Sequence, residues 1–385
     1  KGSRRGRLRG KSPARRCAPS APLRAVESQR ARFAMFGLLG EVLGKSSIAV
    51  AIFAAIFLPF LLMHAYMFTR KKRRHKGVLT AAVMDQARRG KIHFISSHHT
   101  KLAKSVAERV APELLGAGCS LLELDLIGVS LNGTWVETLG EAAVCSEVLR
   151  ELWLGKCKLR GPLPVMRLPA LQLLNLTNNE MTGNINPLLG CTALQRLDLS
   201  GNNLRGGLEA LKGCVALRVL HVNLNQLIGG LQPLEGCKAL THLWCHDNQL
   251  TGGLEPLKGC TALQDLRLSN NKFTGGLDAL EGLTALKMLG LFDNKLKGGL
   301  EPLQSCKVLE QLGLENNQLT GSLEPLAACT ALNQVALDSN LLSGSLEPLM
   351  QLERLTQVEV KNNRNLWLAN EDKAYFEKKC LLFSM

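Results

Sequence analysis

The histidines and one glycine–lysine–serine run are the first places in this sequence to look for chemistry. His93, His98 and His99 lie close together, but no cysteine or carboxylate stands at a metal-ligand spacing from them. Residues 40–47 (GEVLGKSS) resemble a phosphate-binding loop, which needs four residues between its glycines, whereas Gly40 and Gly44 are separated by three. The sequence also lacks the signatures of zinc peptidases, serine hydrolases and kinases. We therefore expect a protein that is not an enzyme and binds no metal or cofactor.

A second group of side chains, from the middle of the chain, points to binding. His221, Trp244 and Arg267 stand 23 residues apart in succession. Tryptophan and arginine are the residues that most often anchor protein interfaces. The histidines at 242 and 246 would lie about 13 Å apart on one strand, too far to share an ion. The predicted protein-binding group is His221, His242, Trp244, His246, Arg267, Met288 and Phe292. The alternative is that these are incidental surface residues.

This spacing comes from a 23-residue repeat that runs from Leu171 to near Arg354. Eight successive units begin at Leu171, Leu194, Leu217, Leu240, Leu263, Leu286, Leu309 and Leu332. Each unit opens with L-x-x-L-x-L, with Val or Cys at one of the later leucine positions in three units, and carries an asparagine eight residues after its start. These asparagines are Asn179, Asn202, Asn225, Asn248, Asn271, Asn294, Asn317 and Asn340. A fixed period of this length indicates a stacked repeat architecture.

The residue types of the repeat explain how each unit should fold. Leucines at alternate positions place one face of a short strand in the core. The asparagine amide has donors and an acceptor for turn backbone groups that no sheet ladder reaches, so we predict a buried asparagine ladder. Glycine twelve residues after the start allows a tight bend, and proline at sixteen suits a 3₁₀ turn more than a long helix.

These units resemble the leucine-rich-repeat family, most closely its plant-like or protist-type class. They differ from that class in carrying Leu-Glu-Pro where it has Ile-Pro, and in being one residue shorter. The resemblance implies an α/β solenoid: a right-handed leucine-rich-repeat horseshoe with a parallel concave β-sheet, short 3₁₀ or turn segments on the convex side, and about ten to eleven repeats. It would also place the protein-binding group on the concave face.

The repeat domain is predicted to span residues 121–363, between two caps. Residues 78–90 and 100–116 have helical patterning, and residues 78–120 would form a helical amino-terminal cap. The first two units are irregular, and Cys157 occupies the asparagine position of the second. Residues 364–385 would form the closing cap, with Asn370 capping a short helix over residues 371–379.

The amino-terminal part of the chain predicts membrane attachment. Residues 1–76 contain 18 Lys and Arg against Glu27 and Glu41, a net charge of +16 that exceeds the +15 of the whole chain. We expect residues 1–47 to be a basic, disordered or targeting tail, and residues 48–69 to be a transmembrane helix, because residues 48–68 carry no charge. The basic juxtamembrane segment 70–77 would face anionic lipid. The near-neutral repeats argue against binding nucleic acid.

Charge and cysteine placement together predict the side of the membrane. Positive segments are retained on the cytoplasmic side, which would place the repeats in the cytosol, or in a stroma or matrix. Six cysteines share one repeat position, where Leu283 and Leu352 stand in other units, so we expect buried, reduced thiols. The favoured function is a membrane-anchored scaffold or adaptor for an unknown protein partner. The alternatives are a receptor-like protein with extracellular or luminal repeats and a non-catalytic subunit of a membrane enzyme complex.

Overall fold

The structure, a computed structural model, describes residues 75–76, 94–96, 121–131, 133–134, 146–380 and 382–385. The chain divides into two units, residues 1–72 and 73–385, and every described residue belongs to the second. Within the described residues the architecture is a solenoid, in which each 23-residue unit forms one coil and the coils stack through a common parallel sheet.

The main sheet has fourteen parallel strands in chain order. They are β1 (His75–Lys76), β2 (Phe94–Ser96), β3 (Glu123–Asp125), β4 (Glu151–Trp153), β5 (Leu173–Asn175), β6 (Arg196–Asp198), β7 (Val219–His221), β8 (His242–Trp244), β9 (Asp265–Arg267), β10 (Met288–Gly290), β11 (Gln311–Gly313), β12 (Gln334–Ala336), β13 (Gln357–Glu359) and β14 (Leu382–Ser384). The eleven strands β3–β13 correspond to the predicted repeats, and three further strands extend the sheet at its two ends.

The leucines of each unit form the core, as predicted. Leu243 of β8 pairs in register with Leu220 of β7 and Leu266 of β9, and all three side chains are fully buried. Because every unit repeats the same spacing, equivalent residues of neighbouring coils lie side by side along the sheet. The stability of such an array comes from each coil packing on its neighbours.

The predicted asparagine ladder is present. The Asn248 side-chain oxygen accepts the backbone N–H of Leu227 at 2.9 Å, and its amide donates to the carbonyls of Val222 and Cys245 at 3.0 Å each. The other seven predicted asparagines bond in the same way, and Asn363 adds a ninth member. In the asparagine position of an earlier unit, the Cys157 thiol donates to the Leu126 carbonyl at 3.1 Å. Each amide thus ties two coils together.

The return segments are short, as the prolines predicted. Glycines at the twelfth position, such as Gly206 and Gly252, have φ of 79° and 86°, a left-handed conformation that favours glycine. The 3₁₀ helices of the described chain are Asn186–Leu188, Glu209–Leu211, Gln232–Leu234, Glu255–Leu257, Asp278–Leu280, Glu301–Ser305 and Glu324–Ala328, and α1 (Glu347–Met350) follows them.

Short strands between the main strands and the return segments form five two-stranded parallel sheets. Their pairs are Arg160–Pro162 with Glu180–Thr182, Arg205–Gly206 with Gln226–Leu227, Thr251–Gly252 with Lys272–Phe273, Lys297–Gly298 with Gln318–Leu319, and Ser343–Ser345 with Asn365–Trp367. These small sheets fix the coil on the side where the chain leaves the main sheet.

The carboxy-terminal cap differs from the prediction in two respects. Helix α2 (Asn370–Lys379) begins at Asn370 and its N-cap residue is Ala369, so Asn370 is not the cap. The chain then adds strand β14, which pairs with β13. Tyr375 donates to the Met350 carbonyl at 2.7 Å, and the Phe376 ring stacks on Phe383. The cap therefore continues the sheet as well as covering its last coil.

Several predictions fall outside the described residues. These are the basic tail 1–47, the transmembrane helix 48–69, most of the basic segment 70–77, and the helical patterning of residues 78–90 and 100–116. Among the described residues, no helix has the length and apolarity needed to cross a membrane.

The cysteines of the described repeats are buried and unpaired. The Cys237 thiol donates to the Cys214 carbonyl of the preceding coil at 3.4 Å, and Cys214, Cys260 and Cys306 make the equivalent contact. Burial raises the pKa of Cys237 to about 11. A thiol held in this state is a weak nucleophile, so these cysteines fill the core.

Candidate protein-binding face

The surface of the main sheet that points away from the leucine core is the candidate site, and we call it the sheet face. Three side chains of each unit lie on it, at the second, fourth and sixth positions after the unit start. They form three rows that cross the strands, which we call the first, second and third row in that order. From β4 to β13 the second row reads Trp153, Asn175, Asp198, His221, Trp244, Arg267, Gly290, Gly313, Ala336 and Glu359. Strand pairing places these residues side by side.

At the centre of the sheet face, three side chains of the second row stack on one another. The His221 and Trp244 rings are nearly parallel, with centroids 4.0 Å apart and 13° between their planes. On the other side of the indole, the Arg267 guanidinium lies 4.5 Å from the ring centroid. A cation over an indole face is attracted by the ring quadrupole. The stack therefore spans β7, β8 and β9.

Acidic side chains hold both ends of this stack. Asp265 contacts Arg267 through two hydrogen bonds of 2.8 and 3.0 Å, in the geometry that an arginine fork favours. At the other end, His221 Nδ1 lies 3.7 Å from an Asp198 oxygen, close enough for attraction but longer than a hydrogen bond. Burial would raise the pKa of Asp198, but its contacts with His221 and Ser200 outweigh burial and lower it.

The structure brings most of the predicted binding group together but covers two of its members. His221 and Trp244 are 3% and 4% exposed, because neighbouring side chains of the same face pack against them. Trp244, which the sequence placed in the binding group, therefore has little surface of its own to offer a partner. His242, Met288 and Phe292 are half-buried and accessible. Whether the group binds a protein stays a prediction.

The remaining histidine, His246, packs beside the tryptophan. Its ring centroid is 6.4 Å from that of Trp244. Burial, with the positive charge of Arg267 also contributing, lowers the pKa of His246 to about 4, so the ring is neutral near pH 7 and forms no ion pair with Asp247, 4.0 Å away. Among the described residues, no three His, Cys, Asp or Glu side chains are arranged to hold a metal ion.

Some buried polar atoms of this central region have no hydrogen-bond partner among the described residues. They are Nε2 of His221, Oδ1 of Asn223, Nε1 of Trp244 and Nδ1 of His246. Unpaired buried polar atoms are unfavourable and uncommon in folded proteins. The described residues therefore leave some polar atoms of this tightly packed region without a hydrogen-bond partner.

Beyond β9 the second row loses its side chains. Gly290, Gly313 and Ala336 follow Arg267 in register, so three neighbouring strands present almost bare backbone. A Cβ atom added at Gly290 would have only the Ser269 hydroxyl, at 3.4 Å, within 4 Å. This shallow depression between the first and third rows, with its floor at Gly290, Gly313 and Ala336, is called the glycine channel below.

Carboxylates line one side of the glycine channel. The nearest, Glu315, lies over Gly313, where an added Cβ would be 3.2 Å from its Oε2 atom. That oxygen has no hydrogen-bond partner among the described residues. Burial, together with the negative charges of Glu359, Asp338 and Asp293, raises the pKa of Glu315 to about 7. Burial also raises the pKa values of Asp338 and Glu359.

The glycine channel is a feature that was not predicted from the sequence. The signal was present, because two consecutive units carry glycine at a position where the preceding units carry Trp and Arg. Glycine on an exposed strand face reads as a weak strand residue, however, and the burial of Trp244 could not be inferred from the repeat alone.

Comparison with known proteins supports the fold. Residues 169–213 and 238–284 match a family described as Leucine Rich repeats (2 copies). No curated protein matches the chain by sequence.

Solved structures of plant receptors are similar to the repeats. The plant peptide hormone receptor RGFR1, in complex with RGF2, matches with a TM-score of 0.65 and 25% identity over 76% of this chain and 50% of its own. The leucine-rich-repeat ectodomain of the receptor kinase GASSHO1/SCHENGEN3 from Arabidopsis thaliana, in complex with CASPARIAN STRIP INTEGRITY FACTOR 2, matches with 0.60 and 26% over 76% and 38%. A TDR receptor, at 23% identity and a TM-score of 0.67 over 79% and 57%, shows the fold alone. The chain thus spans about half the length of these receptors.

Proposed function

We propose that this chain, whose repeats belong to the leucine-rich-repeat family, is a non-catalytic scaffold or adaptor that holds a partner protein on its sheet face. The observation that carries the proposal is the change along that face at Gly290, where a packed second row gives way to open backbone. Side chains already packed against one another have little contact surface left to offer. The open half of the face, flanked by Phe292 and Met288, has such surface.

The predicted binding group takes two roles in this proposal. Met288 and Phe292, which are half-buried, contact the partner beside the glycine channel, and His242 extends the contact surface. The buried residues His221 and Trp244 support them by fixing Arg267, whose guanidinium lies 3.3 Å from the Met288 sulfur. Complexes of similar receptors with RGF2 and with CASPARIAN STRIP INTEGRITY FACTOR 2 support the use of this fold for binding polypeptides.

A photoreactive side chain on the sheet face tests the proposal. We expect the full-length chain with p-benzoylphenylalanine at Gln334, beside the glycine channel, to form a discrete covalent adduct with a partner in the cells that express it. The same group at Thr261, an exposed turn residue between coils, is the matched control and should give no such adduct. Identical adducts from both positions, or none from Gln334, would contradict binding through the sheet face.

Membrane anchoring through residues 48–69 is the second part of the proposal. Its support is the sequence: residues 48–68 carry no charge, and basic residues 70–74 follow directly. The same charge distribution favours repeats on the cytoplasmic, stromal or matrix side, and so do the unpaired core cysteines.

Protease protection on sealed membranes tests this orientation. Protease added to the cytoplasmic side should digest the repeats, whereas protease on the opposite side should leave them intact until detergent is added. Digestion only from the opposite side would favour the receptor-like alternative, which the similarity to plant receptor ectodomains also favours. Recovery of the full-length chain in the soluble fraction would contradict the anchor.

A further inference from the structure

The glycine channel has a geometry that selects its ligand. Its floor spans three strands, about 10 Å at the usual ~4.8 Å between neighbouring strands, and is only as wide as the missing second row. A folded surface cannot reach such a floor, but an extended chain can, because it is itself about one strand wide. The channel therefore suits a polypeptide segment that crosses the strands.

Gly313 marks the point on this floor where a side chain could be held. Gly313 has no side chain of its own, and an added Cβ would lie 3.7 Å from Phe292 and 3.2 Å from Glu315 Oε2, so the Glu315 carboxylate lies close over this part of the floor. An aromatic ring and a carboxylate thus flank the same position. That combination suits a long cationic side chain, whose methylenes pack on the ring and whose charge pairs with the carboxylate.

The charges around Gly313 favour a cation for an independent reason. Glu315 and Asp338 occupy the same repeat position in neighbouring coils, and the charges of Asp338, Glu359 and Asp293 all act on Glu315. Lys361 is the cation beside them, and its side chain is exposed, while its backbone N–H binds Asp338. Burial is the main cause of the raised pKa of Glu315, and the negative charges of these carboxylates add to it. A bound cation would relieve the repulsion between these charges, whereas a polyanion such as nucleic acid would increase it.

We propose that the glycine channel binds an extended, cationic segment of the partner protein, with a lysine or arginine side chain seated over Gly313 between Phe292 and Glu315. The inference rests on the proposed function, since it names the chemistry of the partner for the open half of the same face. It differs from that function in requiring a positive charge on the ligand.

Peptide binding to the full-length chain tests the charge requirement. The probe is a fluorescent six-residue peptide of alternating glycine and arginine, followed by polarisation. Glu315→Gln, which keeps the shape and removes the charge, should weaken binding about tenfold, and Gly313→Leu, which fills the floor, should weaken it at least as much. The same peptide with citrulline in place of arginine should not bind.

The matched control is Glu301→Gln, which removes one negative charge from an exposed return segment outside the sheet face. If it weakens the probe as much as Glu315→Gln does, the peptide responds only to net charge and the proposal is overturned. Undiminished binding of the citrulline peptide would overturn it as well.

The outcome separates this inference from the proposed function. If Gln334 forms its covalent adduct but Glu315→Gln leaves both the probe and the adduct unchanged, the face binds a partner without using the cation pocket. If Gln334 forms no adduct, the function itself fails.

Discussion

In the amino-terminal half of the sheet face, from Trp153 to Arg267, the side chains pack on one another; in the carboxy-terminal half, from Gly290 to Glu359, they are small or repel one another. An added Cβ at Gly155, in the first half, would lie 2.8 Å from Asn175 and from Thr177, whereas one at Gly290 would have the Ser269 hydroxyl as its nearest neighbour, at 3.4 Å. The two halves have the same strands and the same register, so the difference lies in the side chains alone.

This difference shows which part of the repeat is free to vary. The apolar core and the asparagine ladder run through both halves, because every coil must bury its core and satisfy its turn. The sheet face is under neither constraint. In the amino-terminal half, the side chains of the sheet face pack on one another and stabilise the fold. In the carboxy-terminal half, the sheet face has less packing and presents backbone and carboxylates. Most of the residues that we propose to bind a partner therefore lie beyond the half of the face that stabilises the array.

Removal of the indole at the centre of the packed half should have the largest effect. Trp244→Ala leaves a gap between His221 and Arg267 and should lower the free energy of unfolding by about 3–5 kcal/mol. In the open half, Phe292→Ala removes an aromatic ring that is half-exposed and should lower it by about 1 kcal/mol or less. Urea unfolding followed by circular dichroism measures both.

Equal losses in the two variants would mean that the two halves are packed alike. For the same reason, Trp244→Ala is a poor probe of binding: a loss of partner capture in that variant would reflect a disturbed fold. Phe292→Ala, which should leave the fold intact, is the variant for binding measurements.

Most of the fold could be predicted because it depends on constraints that recur in each unit. The period, the alternating leucines and the asparagine position specify strand, core and ladder, and each was confirmed for the described repeats. The ends of the array were harder to predict. Strands β1, β2 and β14 lie outside the repeat pattern, and the sequence Leu382–Ser384 carries no signal that distinguishes a closing strand from a tail.

The site was only partly predictable, because burial on the sheet face depends on pairs of neighbouring strands. His221, Trp244 and Arg267 share a repeat position, so their adjacency followed from the sequence. That their planes would stack and cover the indole did not follow, since any of the three could have turned to solvent. The same reasoning applies to Gly313, whose importance comes from Phe292 and Glu315 on either side.

The two halves should also respond in opposite ways to pH, and this is the smaller effect because Glu315 is only half-buried and water screens its charge. The pKa of Glu315, about 7 in the folded chain against an ordinary 4.5, means that folding favours its protonated form. Its contribution therefore lowers stability as pH rises from about 4.5 to about 7. The pKa of Asp198 is lowered, so its contribution to stability is present above its ordinary 3.8 and is lost as pH falls through its value in the folded chain.

Thermal unfolding between pH 5 and pH 8 measures this difference. The melting temperature of Glu315→Gln should exceed that of the parent chain most at the alkaline end, where the parent must ionise Glu315 beside Asp338 and Glu359. The exposed control Glu301→Gln should follow the parent curve. A difference in melting temperature between Glu315→Gln and the parent that is the same at all pH values would mean that these carboxylates do not repel one another. The negative charges of the open half would then be as well compensated as those of the packed half.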